Sequence, residues 1–308
     1  MPAPAVAAII PVFNRPRAIV EALDSVLAQT RPPGKLVVVD DGSTDDTAQR
    51  VEEWLAARRP PFPALLVRQP NQGAATARNR GAAEAPDCDL LAFLDSDDLW
   101  PPDYVQRVCD AMAAAPDAVA ACADRVNHDY ATGAVEPRSY AHYATGRRNA
   151  TTLIFMDGPP GTSGTVFRRS AFTQAGAFDP RWPTGQDYDL MLRVSLLGRW
   201  LHLPGAPLTT RNHLEVVTGS GEPPLSRKYA DRVFRRVQML DRFIFECGGR
   251  QAVPERLWRR RLSVLWHRAA RKLLDLGRTD DARTCLQRTL ALRPWHLPAR
   301  LRLLRLPR

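Results

Sequence analysis

The first 122 residues alternate short apolar runs, rich in β-branched residues, with longer segments whose apolar residues recur at helical spacing. A chain with this order connects neighbouring strands by right-handed helical crossovers, which makes the sheet mostly parallel and places helices on its faces. We therefore predict an α/β fold with a mostly parallel sheet flanked by helices. The five apolar runs span 5–10, 36–39, 64–67, 90–94 and 118–122.

Polar clusters follow three of these runs, at the point where each predicted strand ends. PVFNRP follows the first run, DDGSTDDT the second and DSDD the fourth. In open parallel sheets, ligands bind outside the carboxyl ends of the strands. The three clusters therefore predict one binding site at that edge of the sheet, which is a stronger indication than any single cluster gives.

The regular pattern disappears between residues 127 and 164, where Gly, Pro, Tyr and Arg dominate. Such a composition is typical of a long functional loop or an irregular sheet edge.

Asp95, Asp97 and Asp98 place three carboxylates within four residues at the end of the run 90–94. Like charges this close repel each other, so we expect a cation among them. Mg²⁺ or Mn²⁺ prefers carboxylate and phosphate oxygens, and the chain has no His or Cys cluster that would favour zinc. A solvated acidic turn is the alternative for an isolated triplet, but the position directly after a buried strand favours a functional site.

Two further acidic pairs have a structural alternative. Asp40 and Asp41 follow the second apolar run, where a carboxylate can accept hydrogen bonds from a base or a ribose, or belong to a turn that caps the next helix. Asp187 and Asp189 lie at a predicted helix start, where the helix dipole alone would favour them. Opposite a metal-bound diphosphate, an acid there would be the natural general base for an acceptor hydroxyl.

The charge of the chain is unevenly distributed along its length. Residues 225–308 contain 22 Lys and Arg against 7 Asp and Glu, whereas residues 1–224 contain 21 against 26. Long basic helical patterns occupy 226–246, 254–276 and 277–294. We predict a catalytic domain over 1–222 and a basic α-helical extension over 223–308, in which about 255–296 resembles a tetratricopeptide hairpin.

The basic extension is compatible with more than one role. A cationic helix with Trp and Leu can lie on an anionic membrane, and it can equally pack its long side chains on the catalytic domain. Charge alone also permits nucleic-acid binding, but no motif supports it, so no nucleic-acid partner is expected.

The cellular location is predicted from the cysteines and from the hydropathy pattern. Five scattered cysteines form no CxxC pair, and neither a signal sequence nor a membrane-spanning run is recognised. We expect a reduced, cytoplasmic protein, which is peripheral at the inner face of the cell membrane if its basic extension binds lipid.

Six motifs, taken in order, resemble family 2 glycosyltransferases of the GT-A fold. They are IIPVFNRP, VVVDDGSTDDT, NQGAATARNRGAA, LLAFLDSDDLWPPDYV, GAFDP and QDYDLMLR, and the resemblance covers about residues 5–215. Each motif alone is weak, whereas the combination is highly specific. The resemblance implies an inverting transfer of a sugar from a nucleotide-diphosphate sugar, most commonly a UDP-sugar, to a hydroxyl of a glycan or lipid-linked acceptor.

The resemblance also implies roles for individual residues. Asp41 would meet the nucleobase, Arg78 would lie near the nucleotide, and Asp187 would be the catalytic base. Asp95 and Asp97 match the DxD motif of the family, in which Asp97 would bind Mg²⁺ or Mn²⁺, helped by Asp98. Further contacts with the donor would come from the loop after the first strand, the DxD motif and the end of the catalytic domain, through Pro11, Phe13, Asn14, Arg15, Asp95, Ser96 and Arg211.

Two positions depart from the family pattern or match it only in part. Gln186 precedes Asp187 where the family usually has Glu-Asp, so the base is kept but a second negative charge is missing. Arg211 and His213 match an Arg-x-His element, from which His213 could approach the diphosphate or the metal. A surface histidine in a loop is the alternative interpretation of His213.

Other functions are weighed against glycosyl transfer. The runner-up is a non-catalytic module that uses this fold for binding and its helical extension for recruiting a protein, which the intact Asp97 and Asp187 argue against. Phosphoryl or nucleotidyl transfer would require a Gly-rich phosphate loop or a lysine signature after the first strand, and PVFNRP has neither. A receiver domain also places acids after its strands, but it would end by about residue 130, well before the motifs near residues 178 and 187.

Overall fold

The computed structural model describes residues 4–145, 149–212 and 231–306. The strands in these ranges are β1 (Val6–Val12), β2 (Lys35–Asp40), β3 (Ala64–Arg68), β4 (Leu90–Phe93), β5 (Ala118–Asp129), β6 (Val135–Arg138), β7 (Thr165–Arg168) and β8 (Arg199–Asn212). The helices of the catalytic fold are α1 (Ala18–Leu27), α2 (Thr47–Arg58), α3 (Ala74–Ala83), α4 (Tyr104–Ala114), α5 (His142–Thr145), α6 (Ala150–Asp157), α7 (Arg169–Gln174) and α8 (Gln186–Ser195). The helices that follow are α9 (Arg232–Glu246), α10 (Gly249–Ala252), α11 (Glu255–Asp275), α12 (Thr279–Leu292) and α13 (Leu297–Arg305).

The described strands form one mixed sheet in the order β3-β2-β1-β4-β7-β5-β6, with β8 beside β5. The pairs β3–β2, β2–β1, β1–β4 and β5–β8 are parallel, whereas β7 runs antiparallel to β4 and β5. The predicted mostly parallel sheet flanked by helices is confirmed. Because β1, β2 and β4 are parallel neighbours, their carboxyl ends share one edge.

The irregular segment 127–164 contains more regular structure than its composition indicates. β6 pairs antiparallel with β5 in the register Arg125↔Arg138, and α5 and α6 follow it. β5 also extends beyond the apolar run that predicted it. The distal half of β5 is partly exposed and carries polar residues, so a search for buried apolar runs finds only its inner end.

Apolar side chains fill both faces of the sheet. Alternate residues of β1 point to opposite faces, so Ile9 joins the core under α3 and Ile10 joins the core under α1. Gly81 lies in α3 where an added Cβ would collide with Ile9 and lie 3.3 Å from a methyl carbon of Val39. The glycine therefore allows α3 to lie directly on β1 and β2, which brings Arg78 to the edge of the sheet.

The basic helices pack on the catalytic fold and share its core. α9 lies against α8, and Phe243 of α9 packs on Phe155 of α6 with ring centroids 6.2 Å apart. α11 and α12 form an adjacent helix pair where the hairpin was predicted. The predicted boundary at residue 222 lies outside the described residues, so the division into domains stays a prediction. No helix in the described ranges is long and apolar enough to cross a bilayer.

His267 joins α11 to the segment that enters α13. Its imidazole lies against His296 with ring centroids 4.7 Å apart, and its Nε2 lies 3.1 Å from an Arg302 guanidinium nitrogen. Burial, His296 and the cations Arg302 and Arg271 lower the pKa of His267 to about 4. The unfolded chain, with an ordinary histidine pKa of about 6.5, therefore binds more protons than the folded chain between these values.

We expect His267 to contribute a loss of stability as the pH falls from about 6.5 toward 4, because the unfolded state then gains a proton that folded His267 excludes. His267→Gln should weaken this dependence, whereas His142→Gln, at an exposed position, should leave it unchanged. Thermal unfolding of the full chain across this range measures the effect. Identical pH profiles for wild type and His267→Gln would contradict the prediction.

Candidate active site

A cavity of about 730 Å³ opens at the shared edge where β1, β2 and β4 end. Its wall includes residues from the loops after these strands, from α3 and from the start of α8. The predicted site residues on the wall are Pro11, Phe13, Arg15, Asp41, Arg78, Asp95, Ser96, Asp97 and Asp187. Three more described residues of the predicted set, Asn14, Asp98 and Arg211, are not on the wall. His213 lies outside the described residues.

Asn14 joins the loop after β1 to the loop after β2. Its backbone N–H donates to Ser43 Oγ at 2.9 Å, and its Oδ1 accepts from the Thr44 backbone N–H at 2.9 Å. The next residue, Arg15, donates its backbone N–H to Thr47 Oγ1 at 2.8 Å. These bonds fix the backbone from which the Arg15 side chain reaches the cavity wall.

Asp41 organises the loop that leads into α3. Its Oδ1 accepts from Gln69 Nε2 at 2.7 Å and from the Gln72 backbone N–H at 2.9 Å, while Oδ2 accepts from the Gly73 backbone N–H at 2.8 Å. A carboxylate has about four acceptor positions, so these three bonds leave Asp41 with capacity for one further donor. The contact of Asp41 with a nucleobase stays a prediction.

Arg78 bridges two parts of the wall. Its Nη2 donates to Asp95 Oδ1 at 2.5 Å, and its guanidinium lies 5.4 Å from the ring centroid of Phe178. The Gln186 side chain is oriented so that both amide atoms form hydrogen bonds. The Gln186 oxygen accepts from Arg78 Nη1 at 2.8 Å, and the Gln186 nitrogen donates to the Trp182 carbonyl at 2.8 Å. The strand-end carboxylate is thereby connected to the first residue of α8.

Asp97 faces the cavity without an ion pair in the described ranges. Burial and the neighbouring carboxylate of Asp95 raise the pKa of Asp97, while Arg15 and Arg211 act in the opposite direction. The remaining excess of negative charge fits a divalent cation between Asp95 and Asp97. No group of three or more His, Cys, Asp or Glu side chains that could hold a metal occurs in the described residues, so phosphate oxygens and water would have to complete the coordination.

Asp98 is buried behind the cavity wall. Its Oδ2 accepts from Ser163 Oγ at 2.5 Å, and its Oδ1 accepts from the Arg211 backbone N–H at 3.1 Å. Burial, followed by the charges of Asp97 and Asp95, raises the pKa of Asp98 well above its usual range. This carboxyl group ties the DxD loop to the end of β8.

The Arg211 guanidinium is held in the same region. It donates to the backbone carbonyl of Asp97 and to the carboxylate of Glu21, which lies on α1. The side chain is almost fully buried, so in this arrangement it supports the DxD loop from behind.

The two acids at the start of α8 have different surroundings. Asp187 lies on the cavity wall, and its Oδ2 accepts a long bond of 3.4 Å from Thr162 Oγ1. Asp189 is buried on the other side of the helix, where it pairs with Arg193 through Nε at 2.9 Å and with Arg242 of α9 at 3.4 Å. Only Asp187 of this pair can meet a ligand in the cavity.

Several residues at the site carried no recognised sequence signal. Ser163 accepts from the Asp95 backbone N–H at 3.1 Å while donating to Asp98, and Glu21 holds Arg211. The segment GTSGT around Ser163 is rich in small residues, which could have indicated close packing against another loop. In the sequence, Glu21 is one polar residue on the outer side of a helical pattern, so no local pattern predicts that it pairs with Arg211.

Comparison with known proteins gives consistent matches. The sequence model described as "Glycosyl transferase family 2" matches residues 7–174. An uncharacterised glycosyltransferase of Nostoc sp. is 28% identical over 198 residues, which cover 63% of this chain and 60% of that protein. The match thus covers less than two thirds of that relative's length.

Two solved structures are similar in fold. TarS from S. aureus in complex with UDP-GlcNAc has a TM-score of 0.70 at 17% identity, with 97% of this chain and 88% of that chain covered. The mannosyltransferase PcManGT from Pyrobaculum calidifontis, in complex with GDP-Man and Mn²⁺, has a TM-score of 0.60 at 20% identity, with 98% and 79% covered. At these identities the similarity shows the fold.

Substitution of the two acids of α8 should affect stability to very different degrees. Asp189→Asn should lower the free energy of unfolding by about 3–5 kcal/mol, because it leaves Arg193 buried without its carboxylate. Asp187→Asn should change it by less than about 0.5 kcal/mol, since the lost contact is one long hydrogen bond at a cavity. Urea unfolding of the full chain, followed by tryptophan fluorescence, measures both. Equal losses would contradict the assignment of separate roles.

Proposed function

The chain belongs to glycosyl transferase family 2, and from this premise we propose that it transfers a sugar from a nucleotide-diphosphate sugar to a hydroxyl of a glycan or lipid-linked acceptor. The observation that carries the proposal is that Asp95, Asp97 and Asp187 lie on the wall of the same cavity. Family membership agrees with the resemblance carried by the sequence motifs. Transfer with inversion, the donor and the need for a metal are the parts that we propose.

We propose that the nucleotide occupies the side of the cavity formed by the loop after β1 and by the loop that Asp41 organises. Pro11 and Phe13 offer apolar wall there, and the remaining acceptor capacity of Asp41 suits an N–H of a base. UDP is the expected nucleotide. Of the two solved structures, the TarS complex contains UDP-GlcNAc and the PcManGT complex contains GDP-Man, so both bases belong in an experimental panel.

Asp97, together with Asp95, would hold Mg²⁺ or Mn²⁺ at the diphosphate. When bound there, such an ion neutralises the charge that develops on the departing diphosphate. Ser96 lies between the two acids on the cavity wall, and Arg15 adds a cation to the same wall. The hydrogen bonds of Asp98 support a positioning role for it, in which it fixes the DxD loop through Ser163 and the backbone of Arg211.

Asp187 would act as the general base. As the acceptor oxygen attacks the anomeric carbon from the face opposite the diphosphate, the bond from that carbon to the diphosphate oxygen breaks and the hydroxyl proton passes to the carboxylate of Asp187. One displacement of this kind inverts the anomeric configuration and needs no covalent enzyme intermediate. Positioned proton transfer of this type contributes about 10²–10⁴ in rate.

The first test is turnover of a panel of nucleotide-sugars by the purified chain with Mn²⁺, with Mg²⁺ and with EDTA. We expect metal-dependent release of one nucleoside diphosphate. Asp97→Asn should abolish the metal dependence together with most of the activity. Asp187→Asn should lower transfer by about 10²–10⁴ while donor binding, measured by calorimetry, is retained.

Asp110→Asn is a suitable control, since this exposed acid on α4 is not on the cavity wall. Absence of binding and of turnover for every nucleotide-sugar, even with membrane extract as acceptor, would refute the proposal and favour a non-catalytic module. Activity that survives both EDTA and Asp97→Asn would refute the metal assignment alone.

Gln186 gives a second prediction, because it shares Arg78 with Asp95. Gln186→Glu should lower the Mn²⁺ concentration at half-saturation by about three- to tenfold, since a new carboxylate competes for Arg78 and adds negative charge beside the site. Titration of Mn²⁺ by electron paramagnetic resonance, in the presence of the nucleoside diphosphate found in the first assay, measures this. Gln186→Leu removes the hydrogen bond without adding charge, so tighter Mn²⁺ binding in both variants would contradict the electrostatic explanation.

A further inference from the structure

The outward face of α13 is apolar, and no part of the chain that the structure describes covers it. Leu297, Leu301 and Leu304 recur at spacings of four and three residues, which places them on one side of the helix, and their exposed fractions are 61%, 46% and 83%. The opposite side carries the buried Ala299 and the partly buried Leu303, which pack into the core. α13 is therefore anchored by one face and presents leucines on the other.

Cationic and aromatic groups border these leucines. Trp295, just before α13, is 86% exposed, and the guanidinium of Arg300 lies 5.3 Å from the centroid of its ring. Arg300 and Arg305 are exposed on the same helix. Exposed leucines beside tryptophan and arginine are typical of helices that lie in the plane of a membrane interface.

A row of cations lies on the neighbouring helix. Every fourth residue of α11 from 256 to 272 is exposed, and four of the five are basic: Arg256, Arg260, Val264, Arg268 and Lys272. No acidic residue interrupts this row. The contacts of His267 with His296 and Arg302 hold part of α13 against α11. The leucine face and the cationic row therefore lie on two helices that touch each other.

We propose that this surface, made of Trp295, the three leucines of α13 and the cationic row of α11, docks the chain on an anionic lipid bilayer. Residues 225–308 carry 22 Lys and Arg against 7 Asp and Glu, so their charge complements acidic headgroups. The same charge disfavours a second copy of the chain as the occupant, because the two cationic rows would repel each other. Docking requires no glycosyl transfer, so it stands independently of the proposed activity.

Sedimentation of the full chain with lipid vesicles tests the proposal. We expect binding to phosphatidylcholine vesicles that contain phosphatidylglycerol, weak binding to phosphatidylcholine alone, and loss of binding as salt is raised. The double variant Leu301→Ser, Leu304→Ser should bind about tenfold more weakly, because two exposed apolar side chains no longer enter the interface. Arg260→Gln with Arg268→Gln should weaken binding mainly at low salt.

Val135→Ser is the matched control, since Val135 is 58% exposed on β6, in the catalytic fold. It should bind vesicles as wild type does. Circular dichroism checks that each variant is folded. Failure of the wild type to bind anionic vesicles would overturn the proposal, and so would equal binding by the double leucine variant. A dimer, detected by light scattering and dissociated by the leucine substitutions, would assign the surface to a second copy and would also overturn it.

Discussion

Repulsion between carboxylates is the constraint on which the rest of the site depends. Asp95, Asp97 and Asp98 lie close together in the loop directly after β4, and partners from distant parts of the chain stabilise that arrangement. Arg78 forms an ion pair with Asp95, while Ser163 and the backbone N–H of Arg211 donate hydrogen bonds to Asp98. Of these three acids, Asp97 makes no ion pair in the described ranges, and it shares the cavity wall with Asp95. A strand end that would otherwise be unstable thus becomes a site whose unbalanced charge is directed at a ligand.

The basic extension takes part in the same charge balance. Asp189 is buried two residues from Asp187, and its charge is matched by Arg193 on its own helix and by Arg242 on α9. A buried carboxylate without its partners costs several kcal/mol, on the order of 3–5. The orientation of α8 therefore depends in part on Arg242, which lies 53 positions beyond Asp189 in the chain. The basic extension therefore supports the helix that carries Asp187, and it also exposes the surface that we propose for docking.

The sequence was sufficient for the parts of the fold that are buried on both faces. Central strands such as β2 and β4 are continuous apolar runs because helices cover each side, and that pattern is unambiguous. The acids that follow them could be assigned to one edge from topology alone. By contrast, β6 is fully exposed and the outer half of β5 is half-buried, so neither has the pattern of a buried strand.

Side-chain partners could not be read from the sequence, because they come from distant positions. Asp97 and Asp98 are neighbours, yet Asp98 is withdrawn from the cavity by residues 65 and 113 positions away. Arg211 is held by Glu21, which lies 190 positions away. The different surroundings of Asp187 and Asp189 are easier to predict from the sequence, since residues two apart on a helix point to nearly opposite sides. Local spacing shows which acids can share a site, and distant partners decide which of them stay available to a ligand.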